Sequence, residues 1–381
     1  MKKMLYVTNV FEDKNDGIWS KIKYNILAYE RLGFTVDIAY RKLDGEFAFK
    51  QNNLESNELS LNCRHKDLFF HALSKKITKR YDIVYIRKPI GGASVLFLSH
   101  LLKKIKKINT CQVILEIPTF PYEKEIRGAK LTISEYLLKL SRRFFLKYVD
   151  LITYMGDPVC KIWGKPVLRL SNGIDLAHVN LVRDRLKDRN EELVFIGVAR
   201  LSFWHGYDRL ISSIKSESNY NFKFLIVGDG EPEMSRLRKI VTDLNLNDKV
   251  IFYGAKSGDE LNKIYEKADI AVDSLGRHRS GSYSNSSLKS KEYTAKGLPF
   301  IKSHQDEAFD KSYFIHDVQP NDDLIDLDCI YDWYQSLPDE TPQLMRDFAR
   351  QHLTWDIQCQ KVLMQHQSYL LATTGVKNEI I

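Results

Sequence analysis

Between Ser286 and Ile301 the chain reads SSLKSKEYTAKGLPFI, a hydroxyl pair followed by a cation and a carboxylate at helical spacing. Ser286 or Ser287 can cap a helix by accepting an orphan backbone N–H. Lys289 falls in the first turn of that helix and Glu292 three residues later, on the same face. Gly297 stands where a helix C-terminus wants a residue free to take positive φ. The mouth of such a helix offers unpaired N–H groups and partial positive charge, which suit an anion. Lys289 would then take phosphates and Glu292 ribose hydroxyls, the two ends of a nucleotide. A lone Lys and Glu near a helix start are usually a solvated face. The weight of this pair comes from its neighbours.

Those neighbours all follow strand-like segments. Arg200 comes just after LVFIGVA, Gly228-Asp229-Gly230 after FKFLIV, and Gly276-Arg277-His278-Arg279 after IAVDSL. In parallel α/β sheets ligands bind beyond the carboxyl ends of the strands. Arg200, the glycine backbone at Gly228 and Gly230, His278, Arg279, Lys289 and Glu292 are therefore expected on one crevice. Each alone has a plain reading: a strand-ending turn for the glycines, a surface residue for Arg200, an ordinary loop histidine for His278.

Strand and helix signals alternate along the whole chain, the pattern of parallel sheets wrapped by helices. Strands are expected at Met4–Val10, Val36–Tyr40, Tyr81–Ile86, Val113–Ile117 and Leu151–Met155. Ile22, Ile26 and Tyr29 recur at helical spacing after a polar loop carrying Gly17, and a further helix is expected over about Ala93 to Ile108. A second series opens at Leu193–Val198 and continues through Phe222–Val227, Val250–Tyr253, Ile270–Asp273 and Phe300–Ile301. Asn172-Gly173 marks a turn, and the charged stretch Arg183–Glu192 reads as an exposed linker. The expected organisation is an N-terminal Rossmann-like domain over 1–175, a linker over 176–192, a C-terminal Rossmann-like domain over 193–350, and a terminal segment over 351–381 that returns to the first domain.

At 381 residues, with 44% hydrophobic and 28% charged residues, the chain has the make-up of a globular protein of two domains. It has no run of 18 or more apolar residues and no signal-peptide pattern at its N-terminus. Five scattered cysteines show neither metal-ligand spacing nor a disulfide framework, so a reducing cytoplasm is expected. The net charge of +8 is concentrated in HLLKKIKKI and EYLLKLSRRFFLKYV, two amphipathic helix candidates. Either could lie on an anionic membrane surface or pack with a solvated basic face. No recognised nucleic-acid motif accompanies the charge. Asp322, Asp323, Asp326 and Asp328 are read as an acidic turn and helix start, and no metal is expected.

The pieces VARLSFWHGYDRLI, FLIVGDGE, VIFYGA, ADIAVDSLG and LKSKEYTAKGLPFI, in this order, resemble the nucleotide-sugar-binding domain of a GT-B glycosyltransferase of the large retaining family four, glycosyl transferases group 1. The first half resembles it more loosely, through MLYVTNV with Gly17, RLGFTVDIAY, VILEIPTFPYEKE and LSNGID. The resemblance implies a GT-B fold, two Rossmann-like domains facing each other across a deep cleft. Arg200 matches the arginine on the donor diphosphate, Glu292 the glutamate that holds the ribose, and Lys289 a lysine at the phosphate or sugar. Gly17 matches the turn approaching the donor sugar, and Ser287 and Leu288 belong to the donor-binding helix start. Leu353-Thr354-Trp355-Asp356 resembles the segment that crosses back to the N-terminal domain.

Three positions depart from the family pattern. Ser284 stands where the first glutamate of the pair is expected, eight positions before Glu292. His205 stands in for the usual basic partner of the arginine; an imidazole can still donate to a phosphate, its charge being set by its surroundings. The strand Val113–Ile117 lacks the histidine that often follows it, leaving Glu116 or the Pro118–Thr119 backbone for the acceptor. Glu116 is either an active-site carboxylate or half of a buried ion pair.

The resemblance implies a retaining, metal-independent hexosyltransferase. Its co-substrate would be a nucleoside-diphosphate sugar, a UDP-sugar by preference, and it would need no other cofactor. The acceptor would be a saccharide, lipid-linked by expectation, in capsular, exo- or O-polysaccharide synthesis at the inner face of the plasma membrane. A non-catalytic GT-B subunit that binds a partner enzyme or glycan is the alternative, with Ser284 its main support. A nucleotide-sugar epimerase and a membrane-surface protein without a nucleotide site are the remaining readings.

Overall fold

The structure, a computed structural model, describes residues 2–13, 16–53, 57–89, 94–108, 110–121, 129–186, 192–215, 218, 220–310 and 312–374. The helix start at Ala93 and the YEKE of VILEIPTFPYEKE lie outside them. The chain divides into two compact units, Met1–Gly173 with Trp355–Ile381, and Ile174–Thr354.

The first unit runs β1 (Lys2–Phe11), α1 (Gly17–Arg31), β2 (Phe34–Arg41), β3 (Phe47–Lys50), β4 (Glu58–Ser60), α2 (Phe69–Lys76), β5 (Ile83–Arg87), α3 (Ser94–Ile108), β6 (Gln112–Phe120), α4 (Ala129–Leu146), β7 (Leu151–Gly156), β8 (Lys161–Ile162) and β9 (Lys165–Arg169). The sheet order is β4-β3-β2-β1-β5-β6-β7-β9-β8. Its centre, β2-β1-β5-β6-β7-β9, is parallel, and antiparallel β3, β4 and β8 close the edges. Met4–Val7 and Ile83–Ile86 are continuous buried runs, as expected of strands covered on both faces. α1 turns Trp19, Ile22, Ile26 and Tyr29 onto one face of the sheet.

The second unit runs β10 (Glu192–Val198), α5 (Tyr207–Ile214), β11 (Asn221–Val227), α6 (Glu233–Asp243), β12 (Val250–Gly254), α7 (Gly258–Tyr265), β13 (Ile270–Val272), α8 (Leu288–Lys296), β14 (Phe300–Lys302), β15 (Ile315–Asp317), α9 (Leu327–Ser336) and α10 (Thr341–Phe348). All pairings in its order β12-β11-β10-β13-β14-β15 are parallel. The chain re-enters the first unit with α11 (Trp355–Thr374).

In the parallel part of each sheet the strand order reverses once, between β1 and β5 and between β10 and β13. Helices before and after such a point diverge to opposite faces, opening a crevice at the carboxyl ends of the strands.

The division differs from the sequence boundaries at 175, 193 and 350. No separate linker covers 176–192, because the described part of that stretch is bound into the second unit. Val182 donates its N–H to the Lys296 carbonyl, and Leu186 donates to Asp339. The Arg183 guanidinium donates to the carbonyls of Glu266 and Ala268 at 3.2 and 2.6 Å. Residues 187–191 lie outside the described residues. The acidic run resolves into a cap: the Asp326 carboxylate accepts the Cys329 N–H at 2.9 Å at the start of α9.

Candidate functional site

The predicted helix forms as α8 and stops at Gly297, whose φ of 70° is the left-handed conformation expected at that end. Its start differs from expectation. Ser287 is the N-cap residue, yet its side chain makes no cap hydrogen bond. Its hydroxyl is directed at the Asp273 carboxylate, and the Ser286 hydroxyl accepts from Lys291 Nζ at 3.0 Å. Two residues read as caps are thus engaged by buried charges beneath the helix. The Ser287 side chain thus does not occupy the first-turn N–H groups of α8, the position at which a helix mouth suits an anion.

Asp273 organises this region and was not singled out in the sequence. It follows β13 at the strand-order reversal and is fully buried. Lys289 Nζ lies 3.1 Å from its Oδ1, the Ser274 N–H donates to the same oxygen at 2.8 Å, and the Ser290 hydroxyl donates to Oδ2. Burial would raise the Asp273 pKa; Lys289, His304 and the serine hydroxyls outweigh it and hold the carboxyl well below the usual range. Burial pulls the Lys289 ammonium down while Asp273 opposes. Lys289 is therefore half of an internal ion pair whose net charge is near zero, not an unopposed cation.

Arg200 lies just past β10, beside the same reversal. It is exposed and takes part in no ion pair among the described residues. Its backbone is clamped by the loop after β11. Gly228 and Gly230 have φ of 128° and 140°, and a Cβ on either would meet the Ala199 or Leu201 carbonyl oxygen at 1.8 or 2.5 Å. No other residue fits, because the two loops touch backbone to backbone. Leu201 donates its N–H to the Asp229 carbonyl at 2.5 Å. The glycines of GDG thus fix the loop that carries Arg200.

His205 is buried, and its Nδ1 accepts the Ser202 N–H at 3.0 Å, which leaves the ring proton on Nε2. Burial first, then Lys289, push its pKa down to about 2, against the pull of Asp273. It is a neutral donor, so the second positive charge expected beside Arg200 is absent at this position. Tyr293 of α8 accepts the Val198 N–H at 3.4 Å and donates to the Val272 carbonyl at 3.2 Å, tying the helix to the ends of β10 and β13. Glu292 is half-buried and accepts from the Tyr265 hydroxyl at 3.3 Å; burial raises its pKa against Lys296 and this hydrogen bond.

The 276–279 loop joins the group only in part. His278 Nε2 lies 3.2 Å from Asp322 Oδ1, and the Arg279 guanidinium bonds Asp208 at 2.8 and 3.1 Å and Asp322 at 2.7 Å. Both side chains are engaged by carboxylates of the second unit. Ser284 pairs by its backbone with Gln305, in a bridge between the neighbouring loops. Leu288 is 38% exposed at the helix start.

In the first unit Gly17 opens α1 rather than preceding it, exposed and with nothing within 4 Å of where a Cβ would stand. Glu116 is held in ion pairs. Its Oε1 lies 2.9 Å from Arg87 NH1 and 3.3 Å from Lys21 Nζ, and Oε2 accepts from the Tyr6 hydroxyl at 3.4 Å. Burial would raise its pKa; Arg87 and Lys21 overcome this and hold it below the ordinary value. Of the two readings of Glu116, the buried ion pair is the one observed. Its partners, at the end of β5 and on α1, were not foreseen.

Comparison with known proteins bears on this geometry. Residues 180–278 match the family model described as glycosyl transferases group 1. An uncharacterised glycosyltransferase of Methanocaldococcus jannaschii is 30% identical over 131 residues, a match spanning 31% of this chain and 33% of the relative's length. Sucrose-phosphate synthase of Thermosynechococcus elongatus shares the fold with a TM-score of 0.62 at 16% identity, over 99% of this chain and 100% of that one. The catalytic domain of Arabidopsis thaliana starch synthase IV, bound to ADP and acarbose, gives 0.68 at 12% identity over 96% and 99%. Anabaena HepE in complex with UDP and glucose gives 0.60 at 13% over 97% and 100%. The matched segment is similar to the glycosyl transferases group 1, and the chain shares its GT-B fold with these solved structures. The matched segment holds Arg200, His205, Gly228 and Gly230, and it ends before α8.

Proposed function

We propose that the chain is a retaining glycosyltransferase that moves a sugar from a nucleoside-diphosphate sugar, a UDP-sugar by preference, to a saccharide hydroxyl. The observation that carries this reading is the start of α8, where the Ser287 side chain makes no cap bond, with exposed Arg200 at the same strand-order reversal of the second unit. The orphan N–H groups, Arg200 and the neutral His205 would bind the diphosphate and stabilise the charge that grows on it as the sugar departs. Glu292, one turn into α8, would accept the ribose hydroxyls. Lys289, already balanced by Asp273, would orient the helix mouth and donate hydrogen bonds rather than supply net charge. These groups suffice without a metal. The first unit would hold the acceptor.

The acceptor is proposed to be lipid-linked, in polysaccharide assembly on the cytoplasmic face of a membrane, and α4 supports this. Ile133, Tyr136, Leu137, Leu140 and Phe144 form an exposed apolar stripe, flanked by exposed Lys139, Arg143 and Lys147. Two of the α3 lysines are less available: Lys104 donates to the Ser74 carbonyl, and Lys106 to the Cys111 carbonyl and Asp150. Among the described residues no helix is long and apolar enough to cross a membrane.

Thermal shift with UDP, GDP, dTDP, ADP and their sugars tests the donor reading. A ligand selective for the folded state raises the melting temperature. One nucleotide family should do so. Silence across the panel would overturn the donor site and favour the non-catalytic subunit, for which Ser284 speaks.

A further inference from the structure

The ion cluster of the first unit does not balance. Lys21 and Arg87 both address one oxygen of one carboxylate, Glu116 Oε1, and among the described residues no second acid meets either cation. The other neighbours of Lys21 are the Met155 sulfur at 3.5 Å and the Trp355 ring at 5.9 Å, neither of them an anion. All three charged side chains are about nine-tenths buried, with exposures of 10, 10 and 6%. Buried ions are ordinarily paired, because an isolated one loses its hydration without return. Here one positive charge in two is left over.

The location matters as much as the count. Tyr6 is on β1, Arg87 is the last residue of β5, Glu116 stands opposite Arg87 on β6, and Lys21 is in the second turn of α1. The cluster therefore lies at the reversal between β1 and β5, where an open parallel sheet receives ligands. Exposed Gly17 opens the same helix one turn earlier.

We infer that Lys21 and Arg87 form a subsite for an anionic group, a carboxylate or phosphate, carried by the molecule that the first unit binds. The ligand anion would supply the missing negative charge, with Glu116 holding both cations in place and Tyr6 holding Glu116. Arg87 would present its planar guanidinium to two oxygens and Lys21 a single ammonium. The acceptor of the proposed transfer would on this basis be an acidic or phosphorylated saccharide. This rests on the acceptor role given to the first unit, but its test does not depend on the donor site.

The test is calorimetric titration of the full chain with glucuronate, glucose 1-phosphate and neutral glucose, for wild type, Lys21→Met and Glu116→Gln. UDP is present throughout to occupy the second unit, and UDP binding is measured separately. The two anions should bind about tenfold more weakly to Lys21→Met, while glucose is indifferent to the change. Glu116→Gln keeps the shape and hydrogen bonding of the side chain but removes the negative charge that competes for both cations, and should bind the anions several-fold more tightly. A response confined to glucose 1-phosphate assigns a phosphorylated ligand, and one confined to glucuronate a carboxylate. Equal anion affinities in all three proteins would overturn the inference. Loss of UDP binding alone would fault the donor reading and leave this one standing, since the readout is a difference between variants.

Discussion

The two units solve the same electrostatic problem in opposite ways. Each buries one carboxylate at the reversal of its parallel sheet, Glu116 in the first and Asp273 in the second. Asp273 meets one ammonium, Lys289, has His304 Nε2 at 3.9 Å with its pKa pushed down by burial, and fills its remaining acceptor sites with the Ser274 N–H and serine hydroxyls, so its cluster is near neutral. Glu116 meets two cations and one phenol, so its cluster carries an excess positive charge. The positive face of the second unit must then come from elsewhere, from the α8 mouth and Arg200. Counting partners per carboxylate separates a charge pair that builds a helix start from one that awaits a ligand.

The largest expected effect breaks the near-neutral cluster. Asp273→Asn leaves the Lys289 ammonium buried without its counter-charge, which should cost about 3–5 kcal/mol of stability in urea denaturation. Because the folded-state pKa of Asp273 is depressed, its contribution is complete above the ordinary aspartate pKa and fades as pH falls below it. A loss under about 1 kcal/mol would mean that Lys289 finds another partner.

Next is the exposed charge of the second unit. Arg200→Ala should lower transferase activity by about 10²- to 10³-fold, mostly in kcat, with the melting temperature unchanged. A change confined to KM would assign Arg200 to ground-state binding alone.

The positive cluster should show itself in a pH profile. Burial lowers the Lys21 pKa to about 8, against Glu116. The folded chain then releases this proton at lower pH than the unfolded chain. Wild type should gain stability relative to Lys21→Met as pH rises from about 8 towards the ordinary lysine value, by a total on the order of 3 kcal/mol. Parallel pH profiles for the two proteins would contradict that assignment.

The smallest effect on the folded chain is at α4. Ile133→Ser with Leu140→Ser should leave stability within about 0.5 kcal/mol, since both side chains are exposed, yet abolish flotation with phosphatidylserine vesicles. Retained flotation would remove α4 as the contact.

Much of this was legible in the chain. The alternating strands, the α8 helix and the Gly297 stop follow from periods and caps that a local stretch of sequence carries. What was hidden depends on register. Glu116 and Arg87 meet because β5 and β6 pair in parallel with these residues opposite, and Lys21 reaches them from another helix. Asp273 looked like the last residue of a strand until α8 brought Lys289 onto it. Ser287 takes the N-cap position without its cap bond, because a hydroxyl serves a buried charge as readily as an orphan N–H. Arg183 was misread as linker because a guanidinium can spend its donors on carbonyls far along the chain.

The central claim is that the α8 mouth with Arg200 and Glu292 holds a nucleoside diphosphate. Calorimetric titration of the full chain with UDP, for wild type, Arg200→Ala and Glu292→Ala, tests it most directly. The account predicts saturable binding by wild type, weakened at least about tenfold in each variant while both remain folded. Binding that is absent in wild type, or equal in all three, would contradict it.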